Sequence, residues 1–336
     1  MSSELAASQA LERAAEAGIH CLPVPTPFQV GRVNCYLIED DPLTLIDTGP
    51  NSGKALDSLQ HQLAERGHSI DDMELVIITH QHIDHLGLVE IVASHSGAEV
   101  AALDKMVGFV ENYGEDAERD DQFAAGLMLR HGIPEDVVHA LQNVARSFRG
   151  WGSKAKVTRP LRDGEEIEFR DRKLQVLHRP GHSPSDTVFW DAERKILIAA
   201  DHLIKHISSN PLITPPLDGS AERTQALVAY LDSLRKTREM PAELVLSGHG
   251  EPITDHVALI DERFAMHERR KEKLYGLIAE QPRTGYEIAQ ALWGNVAVTQ
   301  AFLTLSEVIG HIDLLMNDGR VREVQDGDVV RYEAVA

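Results

Sequence analysis

The segment THQHIDHLG, residues 79–87, constrains what this chain can fold into and bind more than any other part of the sequence. It directly follows the wholly apolar run LVII, which is typical of a short strand buried on both faces. His80 and His82, two residues apart, can point the same way and hold one ion. Asp84 and His85 leave the turn in another direction and can hold a second. Imidazoles and carboxylates at a strand end favour zinc, iron or manganese.

Three further side chains that can bind a metal ion also come just after apolar runs of the sequence. His182 follows LQVL and a Pro-Gly turn, Asp201 follows KILIAA, and His249 follows LVLSG. Loops at the ends of strands are where binding groups are usually placed. We therefore expect these three side chains to converge with the four of the first segment.

The composition argues against several classes of protein. The 33 basic and 53 acidic residues give a formal net charge of −20, and a field of that sign repels nucleic-acid phosphates and anionic lipids. The two cysteines, Cys21 and Cys35, form no CxxC pair, so a disulfide framework is not indicated. The first twenty residues lack the apolar core of a signal peptide, and no run of about 18 apolar residues occurs. We expect a cytoplasmic protein that does not span a membrane.

Strand and helix signals divide the chain into an expected catalytic domain, 1–259, and a C-terminal domain, 260–336. Strands are expected at residues 33–38, 43–46, 75–78, 99–103, 156–158, 166–169, 174–177, 188–190, 195–199 and 244–246. Helices are expected at 54–66, 88–94 and 224–238, with two more in a helical insertion at about 107–149. The C-terminal domain has the order helix, helix, helix and hairpin, which is the winged-helix pattern.

The helical insertion carries apolar residues at helical spacing. They are Phe123, Leu127, Met128, Val137, Val138 and Leu141. Such a pattern most often means packing against the rest of the protein. A lid over an extended acyl group is the alternative interpretation.

Five motifs together make the sequence resemble the metallo-β-lactamase superfamily, the αββα metallohydrolases, over roughly residues 20–258. The motifs are Asp47-Thr48-Gly49, the segment 79–87, Pro180-Gly181-His182-Ser183, Ala200-Asp201 and Gly248-His249-Gly250. The resemblance implies an α+β fold in which two sheets are sandwiched between helices. It also implies two divalent metal ions, zinc first, with iron or manganese as alternatives.

The resemblance also implies how the ligands are shared between the ions. One ion is bound by His80, His82 and His182, the other by Asp84, His85 and His249, with Asp201 bridging. Asp47 matches a residue that supports the ligand loop without binding an ion. A bridging Asp in this position is similar to glyoxalase II, the lactonases and the ribonuclease-type members. True β-lactamases generally lack it, so antibiotic hydrolysis is not expected.

The implied activity is hydrolysis, in which a hydroxide bridging the two ions attacks a small-molecule ester, thioester or lactone. Asp84 is the candidate catalytic residue, because it can touch both a metal ion and the attacking water and relay a proton. The segment after Asp201 is expected to line the mouth of the pocket. His202, Lys205 and His206 are its candidate substrate-binding residues.

Two other activities stay open on sequence grounds. The C-terminal segment resembles the winged-helix tail of the β-lactamase-like protein 2 group, some members of which are endoribonucleases. Residues 261–336 contain 9 basic against 13 acidic residues, however, and the expected recognition helix at 301–316 has neither Lys nor Arg. Nucleic acid is therefore not the expected partner, and the tail is expected to form a homodimer contact or a lid. The other alternative is a mononuclear iron sulfur dioxygenase, which shares the ligand skeleton.

Overall fold

The computed structural model describes residues 3–217 and 223–335. Its strands are β1 (Ile19–Val24), β2 (Val33–Ile38), β3 (Thr44–Ile46), β4 (Leu75–Ile78), β5 (Glu99–Leu103), β6 (Arg159–Leu161), β7 (Glu166–Glu168), β8 (Lys173–His178), β9 (Thr187–Asp191), β10 (Ile196–Ala200), β11 (Leu244–Ser247), β12 (Val321–Asp326) and β13 (Val329–Ala334). Its helices are α1 (Ser3–Glu16), α2 (Gly53–Ala64), α3 (Ile83–Leu86), α4 (Val89–Ser96), α5 (Val107–Glu111), α6 (Tyr113–Arg130), α7 (Glu135–Phe148), α8 (Ala226–Arg238), α9 (His256–Glu280), α10 (Gly285–Trp293), α11 (Val296–Thr299) and α12 (Ala301–Asn317). Within the described ranges, none of these helices is both long and apolar enough to cross a membrane.

Two sheets form the centre of the fold. The first has the strand order β1-β2-β3-β4-β5-β6, and the second has the order β11-β10-β9-β8-β7. Strands β3 to β6 pair in parallel, as do β10 and β11. The carboxyl ends of neighbouring parallel strands lie at the same edge of a sheet, so the loops after β10 and β11 start side by side.

Alternating side chains separate the apolar interior into layers. Val76 in β4 lies in a core shared with α2 and α4, whereas its neighbour Ile77 faces the second sheet. In β11 the same alternation holds: Val245 packs with α8 and α9, and Leu246 faces the first sheet. This period of two gives the order helix, sheet, sheet, helix and confirms the predicted αββα sandwich.

Two strands differ from the prediction. β1 was not expected; it contains Pro23 and lies at the sheet edge, where a residue without an N–H donor is tolerated. The strand expected at 156–158 begins instead at Arg159. The hydroxyl of Thr158 accepts the N–H of Val100 at 3.0 Å. A side chain thus takes the place of a backbone partner just before the ladder begins.

Helix α9 belongs to two parts of the molecule. Ile260 in its first turns packs in the core beside the second sheet, while Leu274 and Ile278 belong to a separate core with α10, α12 and the β12–β13 hairpin. The predicted domain boundary at 259/260 therefore falls inside one continuous helix. The expected order of helices and hairpin is present, and its interpretation as a winged helix stays a prediction.

The helical insertion packs against the C-terminal region. Met128 of α6 and Val138 of α7 share a core with Leu305 of α12 and with Ile213, which lies in the chain between β10 and α8. The carbonyl of His131 also accepts the N–H of Tyr286 at 3.1 Å. The packing interpretation of this segment is confirmed, and the lid interpretation stays a prediction.

Candidate metal centre

The structure brings all seven expected ligands together beyond the ends of β4, β8, β10 and β11. The donor atoms form three groups, and within each group all atoms lie within 4.8 Å of one another. The groups are His80, His82 and His182; His80, His85 and Asp201; and Asp84, His85 and His249. Side chains separated by more than 160 residues of sequence therefore meet at one point. Five of the seven are buried, and His82 and His182 are partly exposed, which leaves one side of the centre accessible to solvent.

The first group consists of three imidazoles. Nε2 of His80 and Nε2 of His182 lie 3.0 Å and 2.9 Å from the same atom, Nδ1 of His82. Nδ1 of His182 is 3.0 Å from the carbonyl oxygen of Asn210. A carbonyl oxygen only accepts hydrogen bonds, so Nδ1 of His182 carries the proton and its Nε2 presents a lone pair.

The position of the proton on His80 follows from its hydrogen bonds in the same way. Its Nδ1 is 2.9 Å from the hydroxyl of Thr79, which donates its own proton to Asp47 at 2.8 Å. Nδ1 of His80 is therefore the donor in that contact, and its Nε2 also presents a lone pair. Nδ1 of His82 can donate a proton to only one of these two lone pairs. A divalent cation between the three nitrogens would use all of them as ligands.

The second group mixes imidazoles and carboxylates. Nε2 of His249 lies 3.4 Å from Oδ2 of Asp84 and 3.3 Å from Oδ2 of Asp201, while its Nδ1 donates to the carbonyl oxygen of Arg32 at 2.8 Å. Nε2 of His85 lies 3.4 Å from Oδ1 of Asp201. The Nε2 atoms of both rings therefore face carboxylate oxygens.

Asp201 stands between the two groups. Its Oδ2 is 3.6 Å from Nε2 of His182 in the first group and 3.3 Å from Nε2 of His249 in the second. Three buried atoms here have no hydrogen-bond partner: Nε2 of His85, Nε2 of His249 and Oδ1 of Asp201. An unpaired buried polar atom costs about 1–3 kcal/mol, and a cation would remove all three deficits. The donor set fits two divalent first-row ions.

The electrostatics of the two groups differ. Burial lowers the pKa of His82 to about 3, with the charge of His182 acting in the same direction, so this ring stays neutral and is ready to bind an ion. Burial acts the same way on His249, but the negative charges of Asp201 and Asp84 outweigh it and raise its pKa to about 10. In the metal-free protein a proton on His249 therefore supplies the positive charge that the carboxylates require.

Asp47 ties the ligand loop together from beneath. Its Oδ1 accepts the backbone N–H of Thr79 at 2.9 Å, and its Oδ2 lies 2.7 Å from Nδ1 of His85. Asp47 is 2% exposed and has a positive φ of 58°, an uncommon conformation for a residue with a side chain. This placement is consistent with the supporting role predicted for Asp47.

The backbone around Asp201 is also specialised. The pairing of β10 with β11 shifts register between Ile198 and Ala200, and Ala200 has a φ of +43°. Such irregularities turn a side chain out of the regular alternation of a strand, and here they direct Asp201 into the centre. A Cβ on Gly248 would stand 2.1 Å from Oδ1 of Asp201, so only glycine fits there.

One of the three expected substrate-binding residues is placed differently from the prediction. His202 is 1% exposed, and its Nε2 lies 2.8 Å from the hydroxyl of Thr237 in α8. The chain turns inward directly after Asp201, and the hydroxyl of Tyr230 donates to the carbonyl of His202 at 3.1 Å. His202 therefore packs inside the protein and does not line the mouth.

The other two candidates lie nearer the surface. The ammonium group of Lys205 pairs with Glu251 at 2.7 Å. His206 is exposed and lies beside the ligand turn, since a Cβ on Gly250 would stand 2.6 Å from its Nδ1. Their roles in substrate binding stay predictions.

Two residues that the sequence did not single out also orient ligands. The backbone carbonyls of Asn210 and Arg32 hold Nδ1 of His182 and of His249. Partners of this kind fix the tautomer and direction of a ligating ring. A backbone carbonyl has no residue signature, so only the fold could identify them.

Comparison with known proteins agrees with this geometry. The family model described as "Metallo-beta-lactamase superfamily" matches residues 29–249. The chain is 33% identical to the probable metallo-hydrolase YqjP of Bacillus subtilis over 93% of this chain and 96% of that protein. It is 26% identical to the hydroxyacylglutathione hydrolase GloC of Haemophilus influenzae, over 56% of this chain and 72% of that one. Among solved structures, a metallo-beta-lactamase family protein from Thermus thermophilus superposes with a TM-score of 0.80 and 28% identity, covering 95% of this chain and 99% of that chain. With a converging set of histidines and aspartates in the matched region, the chain belongs to the metallo-β-lactamase superfamily.

Proposed function

We propose that this chain hydrolyses an ester-type acyl bond of a small molecule, a thioester before an ester or a lactone. In this proposal, the seven side chains of the metal centre hold two divalent ions. The observation that carries the proposal is Asp201, whose carboxylate stands between the two donor groups and has an unpaired buried oxygen. One carboxylate facing both groups is what a pair of neighbouring ions requires.

The chain's own residues have distinct tasks in this reaction. The bound ions would supply Lewis acidity and a water molecule of lowered pKa. Asp84 is 8% exposed. Burial raises the pKa of its carboxyl, but the positive charge of His85 together with the charge and hydrogen bond of His249 outweighs that effect and lowers the pKa. Asp84 thus stays ionised and can accept a proton beside the reacting bond. Asp201, which faces both donor groups, would help to hold both ions.

Two observations support an acyl substrate. The Haemophilus relative is named for hydrolysis of hydroxyacylglutathione, which is a thioester. Ile207, in the loop that follows Asp201, is 40% exposed, and Leu303 is 39% exposed; the carbonyl of Leu303 accepts from the side chain of Asn210, whose own carbonyl holds His182. In this proposal the two apolar side chains border the approach to the centre, where they would favour an acyl group over a charged one.

The nuclease alternative receives less support. Helix α12 occupies the place of a recognition helix in the winged-helix interpretation, yet most of its side chains are buried. Two of those buried side chains, Glu307 and Asp313, are acidic. A helix that enters a nucleic-acid groove needs an exposed basic face.

The test is metal analysis followed by a substrate panel. Protein purified without added metal and then loaded with zinc should hold about two ions per chain and release thiol from S-acyl thioesters. Asp84→Asn should lower kcat by about 10²–10⁴-fold, whereas the surface control Asp104→Asn should not.

Three outcomes would overturn the proposal. Fully loaded protein that ignores thioesters, esters and lactones would remove its substrate class. A single iron per chain with consumption of oxygen would establish the dioxygenase alternative instead. Tight, salt-sensitive RNA binding with cleavage would establish the nuclease.

A further inference from the structure

The start of α12 contacts both loops that orient the ligand histidines. We call residues 300–306 the bracing segment. They belong to the C-terminal region, residues 260–336, which follows the superfamily's matched range in the sequence. The two loops are 25–32, between β1 and β2, and 202–213, after β10.

The contact with the loop 202–213 is made at Asn210. Its side-chain amide donates to the carbonyl of Leu303 at 3.0 Å, while its own backbone carbonyl accepts from Nδ1 of His182 at 3.0 Å. Three residues further on, the N–H of Ile213 lies 3.4 Å from the hydroxyl of Ser306. Asn210 thus bonds the bracing segment through its side chain and the expected metal ligand His182 through its backbone carbonyl.

The contact with the loop 25–32 is made at Gln29. The side chain of Gln300 donates to the side chain of Gln29 at 3.2 Å. The same loop ends at Arg32, whose carbonyl accepts from Nδ1 of His249 at 2.8 Å. The bracing segment therefore contacts both loops whose carbonyls hold these histidines: at Asn210 itself in one loop, and at Gln29, three residues before Arg32, in the other.

The bracing segment is itself held firmly. Four side chains, which we call the interhelix cluster, join α9 to α12: His267, Arg270, Glu307 and His311. Nδ1 of His267 lies 3.2 Å from Nε2 of His311, and the guanidinium of Arg270 pairs with Glu307. The cluster also reaches the second loop, since Nε2 of His267 lies 3.4 Å from the hydroxyl of Ser208.

Helix α9 adds a second hold on that loop. The guanidinium of Arg263 is 6% exposed and donates to the carbonyls of Lys205 and Ile207 at 2.9 Å and 3.2 Å. Buried guanidinium donors of this kind fix several carbonyls at once. The loop that carries Asn210 is thereby fastened to the C-terminal region at both of its ends.

We propose that the C-terminal region is a working part of the metal centre: through the bracing segment it fixes the carbonyls of Asn210 and Arg32 and so orients His182 and His249. Asn210 and Gln300 are positioning residues in this arrangement. The inference rests on the proposed function, because it takes both histidines as metal ligands. A ring free to rotate would spend less time directed at the ion, and metal affinity would fall.

The experiment measures metal affinity directly, without a substrate. Metal-free full-length protein is titrated with Co²⁺, whose visible absorption reports each site, in competition with a chelator. Asn210→Ala keeps the backbone carbonyl and removes only the link to Leu303. We expect it to weaken binding by about tenfold, the lower end of the range for groups that orient metal ligands. Asn210→Gln, which keeps the amide donor, should recover part of that loss.

The matched control is Asn317→Ala. Asn317 is also an asparagine that joins α12 to the rest of the chain, since its side chain bonds Gln225 at 2.9 Å, but it contacts neither ligand loop. It should bind Co²⁺ within twofold of wild type. If Asn210→Ala does not fold, Gln300→Ala tests the contact with the loop 25–32 by the same Co²⁺ titration. Its control is Gln325→Ala, at an exposed position in the β12–β13 hairpin.

The outcomes separate this inference from the proposed function. Wild-type protein that takes up no Co²⁺ overturns both. Wild-type protein that binds two ions while Asn210→Ala and Gln300→Ala bind them equally well overturns the inference alone. Equal losses of Co²⁺ affinity in Asn210→Ala and Asn317→Ala would mean that the C-terminal region only stabilises the protein in general. That result would also overturn the inference.

Discussion

Within residues 3–217 and 223–335, histidines meet carboxylates in two buried places, and these are built in opposite ways. In the interhelix cluster, His267, Glu307 and His311 lie close enough to hold an ion. All four ring nitrogens nevertheless have hydrogen-bond partners, the last being Nδ1 of His311 at 2.7 Å from the carbonyl of Glu307. In the metal centre, two ring nitrogens and one carboxylate oxygen have none.

The difference shows that proximity alone does not identify a metal site. Arg270 already neutralises Glu307 in the interhelix cluster, so a divalent ion there would bring a positive charge with nothing to balance it. In the metal centre, the ion pairs that the described part of the chain gives to the three carboxylates Asp47, Asp84 and Asp201 are all with imidazoles, not with Lys or Arg. The number of hydrogen-bond partners and the balance of charge therefore distinguish the interhelix cluster, which joins two helices, from the metal centre, which is suited to cations.

The largest expected effect is on the metal centre itself. Asp201→Asn keeps the shape of the side chain and removes the negative charge that faces both donor groups. Metal affinity should fall by more than the roughly 100-fold that marks the upper range for supporting residues. Competition with a chelator measures it, and Asp171→Asn at the surface is the control. Retention of two tightly bound ions by Asp201→Asn would contradict our assignment of this residue.

The same substitution chemistry in the interhelix cluster should affect stability instead. Glu307→Gln leaves the guanidinium of Arg270 without its ionic partner. Breaking a buried pair costs about 3–5 kcal/mol, and since the side chain of Arg270 is 29% exposed we expect about 3 kcal/mol. Urea unfolding measures the loss, while metal analysis should still find two ions per chain. If wild type holds three ions and Glu307→Gln holds two, the cluster is a metal site and the comparison fails.

The two places should also differ in how they handle protons. Burial lowers the pKa of His267 to about 4, against the opposing charge of Glu307, so that ring is neutral at pH 7. The pKa of His249 is raised to about 10, so its ring is protonated at pH 7 in the metal-free protein, and an ion must displace that proton. Metal affinity should therefore rise with pH, by about tenfold per unit for each displaced proton. Calorimetry in buffers of different ionisation enthalpy counts the protons, and uptake without release would contradict this.

The smallest expected effect concerns backbone strain, which also distinguishes the metal centre. Ala200 has a φ of +43°, a region that costs an L-residue about 1–2 kcal/mol and costs glycine little. Ala200→Gly should therefore stabilise the protein by up to about 1 kcal/mol, after allowing for the greater freedom of glycine in the unfolded chain. Thermal unfolding measures it, with Ala101→Gly in the regularly paired strand β5 as a destabilising control. A loss of stability in Ala200→Gly would show that no strain is stored there.

Much of the candidate metal centre could be predicted because the expected ligands follow apolar strands in the sequence. A buried strand ends where its apolar run ends, and that rule located His80, Asp201 and His249. The fold class followed from the same runs, together with the resemblance of the motifs. The inward turn that buries His202 could not be predicted, because it depends on Thr237 in a helix more than thirty residues away.

The interhelix cluster shows the other limit of the sequence. His267 and Glu307 stand forty residues apart, on two helices whose relative placement no local pattern specifies. Their residue types are ordinary on charged helices, and nothing marks them as buried. Only the packing of α9 against α12 reveals that they meet and that Arg270 completes the network.

The continuity of α9 limits how this protein can be taken apart or recombined. Because a single helix enters the interior beside the second sheet and leaves through the interior of the C-terminal region, no flexible hinge separates the two. A chain cut between residues 259 and 260 would divide a 25-residue helix near its start and expose apolar surface on both fragments. Exchanging C-terminal regions between relatives would therefore require a junction outside α9, not the 259/260 boundary expected from the sequence.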